Sequence, residues 1–139
     1  MNIYIGYKYR NFKDKESLKK NLSKISDTIT SLGHKTFILG RDEFNWNHHK
    51  KPSKSIAPII KNMKKNDVLF ALIECGNKST GLLFETVCAK LMGKKIVLAV
   101  KNNASGKPFK NYTKNIIEFN DYEDLVNSIK TTFKQILES

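Results

Sequence analysis

At 139 residues, with 40% apolar side chains, the chain has the length of one ordinary domain and enough apolar mass for a core, which excludes a disordered or fibrous protein. No apolar run reaches the length of a membrane span, the first residues are strand-like rather than a secretory leader, and Cys75 and Cys88 lack metal-ligand spacing, so a reducing, cytoplasmic setting without a bound metal is expected. The formal charge of +12 is nearly all lysine, spread over helix faces and loops without interleaved aromatics, which argues against a nucleic-acid surface and leaves either a plain solvated basic exterior or one that attracts small anionic substrates.

In chain order, residues 2–6 read as a strand. Residues 14–32 carry Leu18, Leu22, Ile25, Ile29 and Leu32 at helical spacing and are predicted to form an amphipathic helix stopped by Gly33. Residues 35–39 form a second strand, and 40–51 a polar loop with Trp46, His48 and His49. Ser53 or Ser55 is the expected cap of a segment helical to about Lys65, with Pro58 in its first turn. Residues 68–73 are an unbroken apolar strand. Ser79 is expected to cap a helix running to Met92 and ended by Gly93, and residues 95–100 form another apolar strand. Residues 102–112 read as a loop and 115–119 as a short fifth strand. Asp121 caps a last helix with Leu125, Ile129, Phe133, Ile136 and Leu137 on one face.

Strands alternating with helices imply an α/β fold whose parallel sheet is covered on both faces, and the two unbroken apolar strands agree. The expected architecture is a flavodoxin-like, Rossmann-like three-layer sandwich over residues 1–139, with a five-stranded sheet in the order 2-1-3-4-5. Ligands of such sheets bind at the carboxyl ends of the strands, here the loops after Gly6, Leu39, Glu74 and Val100.

The richest stretch is Asp67–Val100. Ser79 stands where free helix-start amides favour an anion, and Gly81 removes a side chain so that a ligand can approach the backbone. Glu85 lies one turn further, in the most apolar helix. Its helical neighbours Gly81, Leu82, Cys88 and Ala89 are small or apolar, so it is either a reactive carboxylate in a poorly solvated space, or an exposed residue or lysine partner. Thr80 and Asn77 are further candidates for the same space, which the sequence alone does not decide. Where lysine is the default cation, Arg10 and Arg41 are candidates for a planar fork on phosphate or carboxylate, or plain surface arginines. His48 and His49 lack partners for a metal site. Trp46 with Phe44 is either a lid that stacks on a base or ordinary packing. Asp67 begins its strand at the edge away from the site and reads as structural.

Ser79-x-Gly81-x-x-x-Glu85, then Ala89 and Gly93-Lys94 before an apolar strand, resembles the nucleoside 2-deoxyribosyltransferase-like superfamily, which includes the 2′-deoxynucleoside 5′-phosphate N-hydrolases. Ile3-Tyr4-Ile5, Gly6 and Arg10 look like that family's first strand and phosphate loop. The resemblance implies that Glu85 is a nucleophile that displaces the base from the anomeric carbon of a nucleoside or nucleotide, and that Tyr4 holds it. It implies that Gly6, Arg10, Ser79, Thr80 and Gly81 bind substrate, with Arg10 and Ser79 on a 5′-phosphate. It further implies no cofactor, and a homodimer or higher homo-oligomer in which the loop from Lys101 to Tyr112 reaches a neighbour. Serine at 79, in place of the transferases' usual aspartate, leans toward nucleotides over nucleosides.

The chain departs from that pattern in one place. The family carries an aspartate in the helix before the third strand, where Ile59 stands here, and no acid occurs from Ser53 to Asn66. Two competing readings follow. A TIR-like NAD glycohydrolase would also use Glu85 on a ribosyl C–N bond. A nucleotide-binding signalling module would use no nucleophile at all.

Overall fold

The computed structural model describes residues 1–8, 14–47, 52–74 and 80–138. Five strands, β1 (Asn2–Gly6), β2 (Lys35–Ile38), β3 (Val68–Ile73), β4 (Lys95–Lys101) and β5 (Ile116–Phe119), form one sheet in the order β2-β1-β3-β4-β5. Every pairing is parallel, with Tyr4 beside Leu69 and Gly6 beside Ala71. All six residues of β3 are buried, as a central strand covered on both faces requires.

The helices are α1 (Lys15–Ser31), α2 (Leu39–Asp42), α3 (Ile56–Lys65), α4 (Thr80–Leu91) and α5 (Tyr122–Glu138). On one face of the sheet, Ile3, Ile5, Phe70 and Leu72 pack with Leu22, Ile25, Ile129 and Phe133 of α1 and α5. On the other, Tyr4, Leu69 and Ala71 pack with Met63 of α3 and with Leu82 and Ala89 of α4. Successive strand residues therefore serve opposite cores, which is the two-residue period of a pleated strand.

The predicted helix ends follow their chemistry. Asp14 accepts a bond from the Ser17 amide at 3.0 Å, and the Asp121 carboxylate accepts one from the Asp124 amide at 2.8 Å. Gly33 and Gly93 both take positive φ, +95° and +71°, where a side chain would be strained. Among the described residues, no helix is long and apolar enough to cross a membrane.

Three local expectations are corrected. The second strand ends at Ile38, and the loop expected from Gly40 begins as the short helix α2. The Asp42 carboxylate accepts the Ile38 amide at 2.9 Å, and Arg41 donates to the Thr36 carbonyl and the Ser26 hydroxyl, both at 3.0 Å, folding the chain back along the sheet edge. Neither Ser53 nor Ser55 caps α3 with its side chain. Residues Pro52–Ser55 form a 3₁₀ turn that runs straight into it, so Ser55 is already helical. The fourth helix ends at Leu91, one residue before Met92.

Candidate active site

The first strand carries Tyr4 and Gly6 on the face that meets α3 and α4. The fourth helix is apolar around most of its circumference, and one turn inside it Glu85 points at the end of β1. A methyl group placed on Gly6 would lie 3.6 Å from Glu85 Oε1. The carboxylate thus sits at the carboxyl end of a strand beside the middle of the sheet, the edge at which parallel sheets bind ligands.

Glu85 is only 6% exposed, and Tyr4 is fully buried. Burial pushes the Glu85 carboxyl up to about 8, and the Tyr4 hydroxyl pulls in the opposite direction. Burial, and then the charge of Glu85, raises Tyr4 well above the ordinary tyrosine range. The hydroxyl is near enough to favour the carboxylate form, yet it stands outside hydrogen-bond geometry and has no partner among the described residues. Buried polar groups are nearly always satisfied, so an orphan hydroxyl beside a nearly unsolvated carboxyl is an arrangement that stability does not account for. Cys88 lies one helical turn beyond Glu85, and burial and the Glu85 charge raise its thiol in turn.

The bland alternative for Glu85, an exposed or ion-paired helix residue, does not hold among the described residues. The ion pairs there are Arg41–Asp42 at 2.9 Å, Lys61–Glu43 at 3.7 Å and Lys110–Glu118 at 3.9 Å, and none reaches the site. No group of His, Cys, Asp and Glu that could hold a metal ion occurs among the described residues.

The sequence candidates divide as follows. Tyr4, Gly6 and Glu85 come together. Thr80 and Gly81 begin α4 one turn before Glu85, both exposed, and among the described residues nothing lies within 4 Å of where a Gly81 side chain would start. Arg10, Ser79, Asn77, His48, His49 and Cys75 lie outside the described residues. Arg41 is not a ligand fork: its guanidinium is taken up by Asp42, Ser26 and Thr36. Trp46 packs against the α1/α5 core with the Lys19 amine 5.4 Å from its ring, on the opposite face of the sheet from Glu85. Ile59 is buried on α3, so the absent acid leaves an apolar position. Asp67 accepts the Asn2 amide at 2.8 Å at the amino edge, a structural role.

A second pair escaped the sequence reading. Glu74 Oε2 and the Tyr122 hydroxyl are both buried without hydrogen-bond partners, and burial and then Glu74 raise Tyr122 above the usual tyrosine range. Glu74 follows Leu72 by two residues, so it shares the α1/α5 face and does not meet Glu85. The only signal in the sequence was a lone carboxylate directly after six apolar residues.

No protein-family model matches the sequence, and no curated protein matches it. Solved structures do match its fold. A CMP N-glycosidase from Clostridium botulinum, BcmB, superposes with a TM-score of 0.66 at 18% identity, over 93% of this chain and 98% of that one. A 2-deoxyribosyltransferase from the psychrotolerant bacterium Bacillus psychrosaccharolyticus gives 0.64 at 21% identity, over 98% and 96%. A conserved protein from Enterococcus faecalis gives 0.66 at 13% identity, over 94% and 97%. Over nearly its whole length the chain has the fold of an N-glycosidase and of a deoxyribosyltransferase, in agreement with the resemblance carried by Ser79-x-Gly81-x-x-x-Glu85.

Proposed function

We propose that this chain is a single nucleoside 2-deoxyribosyltransferase-like domain that cleaves the C1′–N bond between base and (deoxy)ribose in a nucleoside 5′-monophosphate or nucleoside, by hydrolysis or transfer. The observation that carries this is Glu85: a buried carboxyl at the carboxyl edge of a parallel sheet, beside a buried tyrosine hydroxyl that pulls it toward the ionised form. The fold shared with two enzymes of nucleoside chemistry supports it.

In its ionised form Glu85 attacks C1′. A carboxylate oxygen–C1′ bond forms as the C1′–N bond breaks, and the bond's electron pair leaves with the base, which takes up a proton. Water, or the nitrogen of a second base, then attacks C1′ and releases the carboxylate. A dry carboxylate gains more from the developing positive charge on the sugar than a hydrated one does, and this is what the burial of Glu85 supplies. Tyr4 steadies the carboxylate between steps. The open start of α4 at Thr80 and Gly81, with Arg10 and Ser79, takes the 5′-phosphate. The protein works in the cytoplasm as a homodimer in which the loop from Lys101 to Tyr112 closes a neighbour's pocket.

The test is incubation with a panel of ribo- and deoxynucleosides, their 5′-monophosphates and NAD, with free base as the readout. Base should appear from the nucleotides, and Glu85→Gln should reduce it by several orders of magnitude while the fold is kept. Nicotinamide from NAD alone would instead favour the TIR-like chemistry, and no release from any substrate would favour a binding module. Light scattering on the same preparation should give a dimer, and an active monomer would remove the shared pocket.

A further inference from the structure

A methyl group added to Gly6 would lie 2.9 Å from Leu82 Cδ1 of α4 and 3.2 Å from Leu69 Cδ1 of β3, besides the 3.6 Å to Glu85 Oε1. The first distance is shorter than non-bonded carbons adopt, and the second is tight. Leu82 is 2% exposed and Leu69 fully buried, so neither methyl can swing into solvent. Leu82 and Glu85 are three residues apart on one helix face, and the Leu82 carbonyl is held by the buried Thr86 hydroxyl at 2.8 Å. The backbone of Gly6 is not in the positive-φ region, so the demand for glycine here is one of space.

We propose that Gly6 is a positioning residue for Glu85 rather than a contact for the ligand. Its missing side chain lets Leu82 seat against the end of β1, and that seat fixes how close the first turns of α4, and with them the Glu85 carboxylate, approach Tyr4. A side chain at position 6 would press on Leu82 and Leu69 together. The movable element is α4, which packs on the face of the sheet, whereas Leu69 is locked between β1 and β4 in its centre. The kinetic consequence rests on Glu85 being the nucleophile, but the placement itself does not.

The experiment compares Gly6→Ala with the double variant Gly6→Ala/Leu82→Val, which removes the Cδ1 that the new methyl would meet. Two readouts are taken: the NMR titration of the Glu85 side-chain carboxyl, assigned by its loss in Glu85→Gln, and kcat and KM with the 5′-monophosphate that releases base fastest. In Gly6→Ala the Glu85 titration should move toward the ordinary carboxyl range as water gains access. The kcat should fall about 100-fold, the scale of a 1 Å misplacement, with KM nearly unchanged. The double variant should recover both. An unchanged Glu85 titration in Gly6→Ala, or a raised KM with intact kcat, overturns the proposal, and the second result would return Gly6 to the ligand. If Gly6→Ala does not fold, the double variant decides: folding with a wild-type Glu85 titration supports the seat at Leu82, and failure to fold overturns it. A shifted titration in Gly6→Ala together with full activity in Glu85→Gln would leave the positioning standing and remove the nucleophile.

Discussion

Replacing Glu85 by glutamine should make the protein more stable while disabling it, and the gain should depend on pH in a defined way. The folded state raises the Glu85 carboxyl from 4.5 to about 8, so it holds the proton far more tightly than the unfolded chain does. Its favourable contribution is complete below about pH 4.5 and is lost as pH rises toward 8, because unfolding releases a proton that the folded state retains. Each pH unit in that window is worth about 1.4 kcal/mol, so between pH 5 and pH 8 the wild-type chain should lose about 4 kcal/mol from this group alone. Glutamine does not titrate. Every other ionisable group is common to both chains, and the cost of packing an amide beside Tyr4 is constant with pH. The difference in unfolding free energy between Glu85→Gln and wild type should therefore grow by about 4 kcal/mol across that range. Urea unfolding followed by the fluorescence of Trp46, the sole tryptophan and packed against the core, measures it at both pH values. Parallel pH dependences in the two chains would mean that Glu85 is hydrated in the folded state, and the desolvated-nucleophile mechanism would fall with it.

The same ionisation should govern activity: kcat/KM for base release should rise through a midpoint near 8, the value at which Glu85 becomes a carboxylate, and a flat profile from pH 6 to 9 would contradict it. Tyr4→Phe removes the group that lowers the Glu85 carboxyl, so the midpoint should move to higher pH and the rate at neutral pH should drop. Removing a buried orphan hydroxyl should at the same time raise stability by about 1 kcal/mol at pH 6, which thermal unfolding would detect. If Arg10 holds a 5′-phosphate, a nucleotide should be preferred over its nucleoside by about tenfold or more, the worth of one charge-assisted contact, and Arg10→Ala should erase that preference. Equal use of nucleotide and nucleoside by the wild type would return weight to transfer chemistry.

The layout of the chain was legible before folding because its signals are local. Leu18, Leu22, Ile25 and Ile29 announce a helix by spacing alone, and Gly33 and Gly93 announce its kind of stop because only glycine takes positive φ freely. Two strands with unbroken apolar runs imply a buried parallel sheet, and the order 2-1-3-4-5 followed. Where a side chain's partner lies far along the chain, local reasoning ran out. Arg41 looked like a candidate anion fork until Ser26 and Thr36, from α1 and β2, took its donors. Ser55 looked like a cap until the preceding 3₁₀ turn supplied the helix start. Trp46 looked like a possible lid until it packed on the far face of the sheet.

Glu85 shows the division most sharply. Helical spacing alone places it among Leu82, Cys88 and Ala89, and the motif around it suggests a nucleophile. A helix can present that face to solvent or to a sheet, and nothing within α4 chooses between them. The choice falls to β1, where Tyr4 and Gly6 offer a fully buried ring and a gap just large enough for Leu82. Desolvation belongs to the space between two elements some eighty residues apart, so the altered chemistry of the carboxyl appears only once they are packed together.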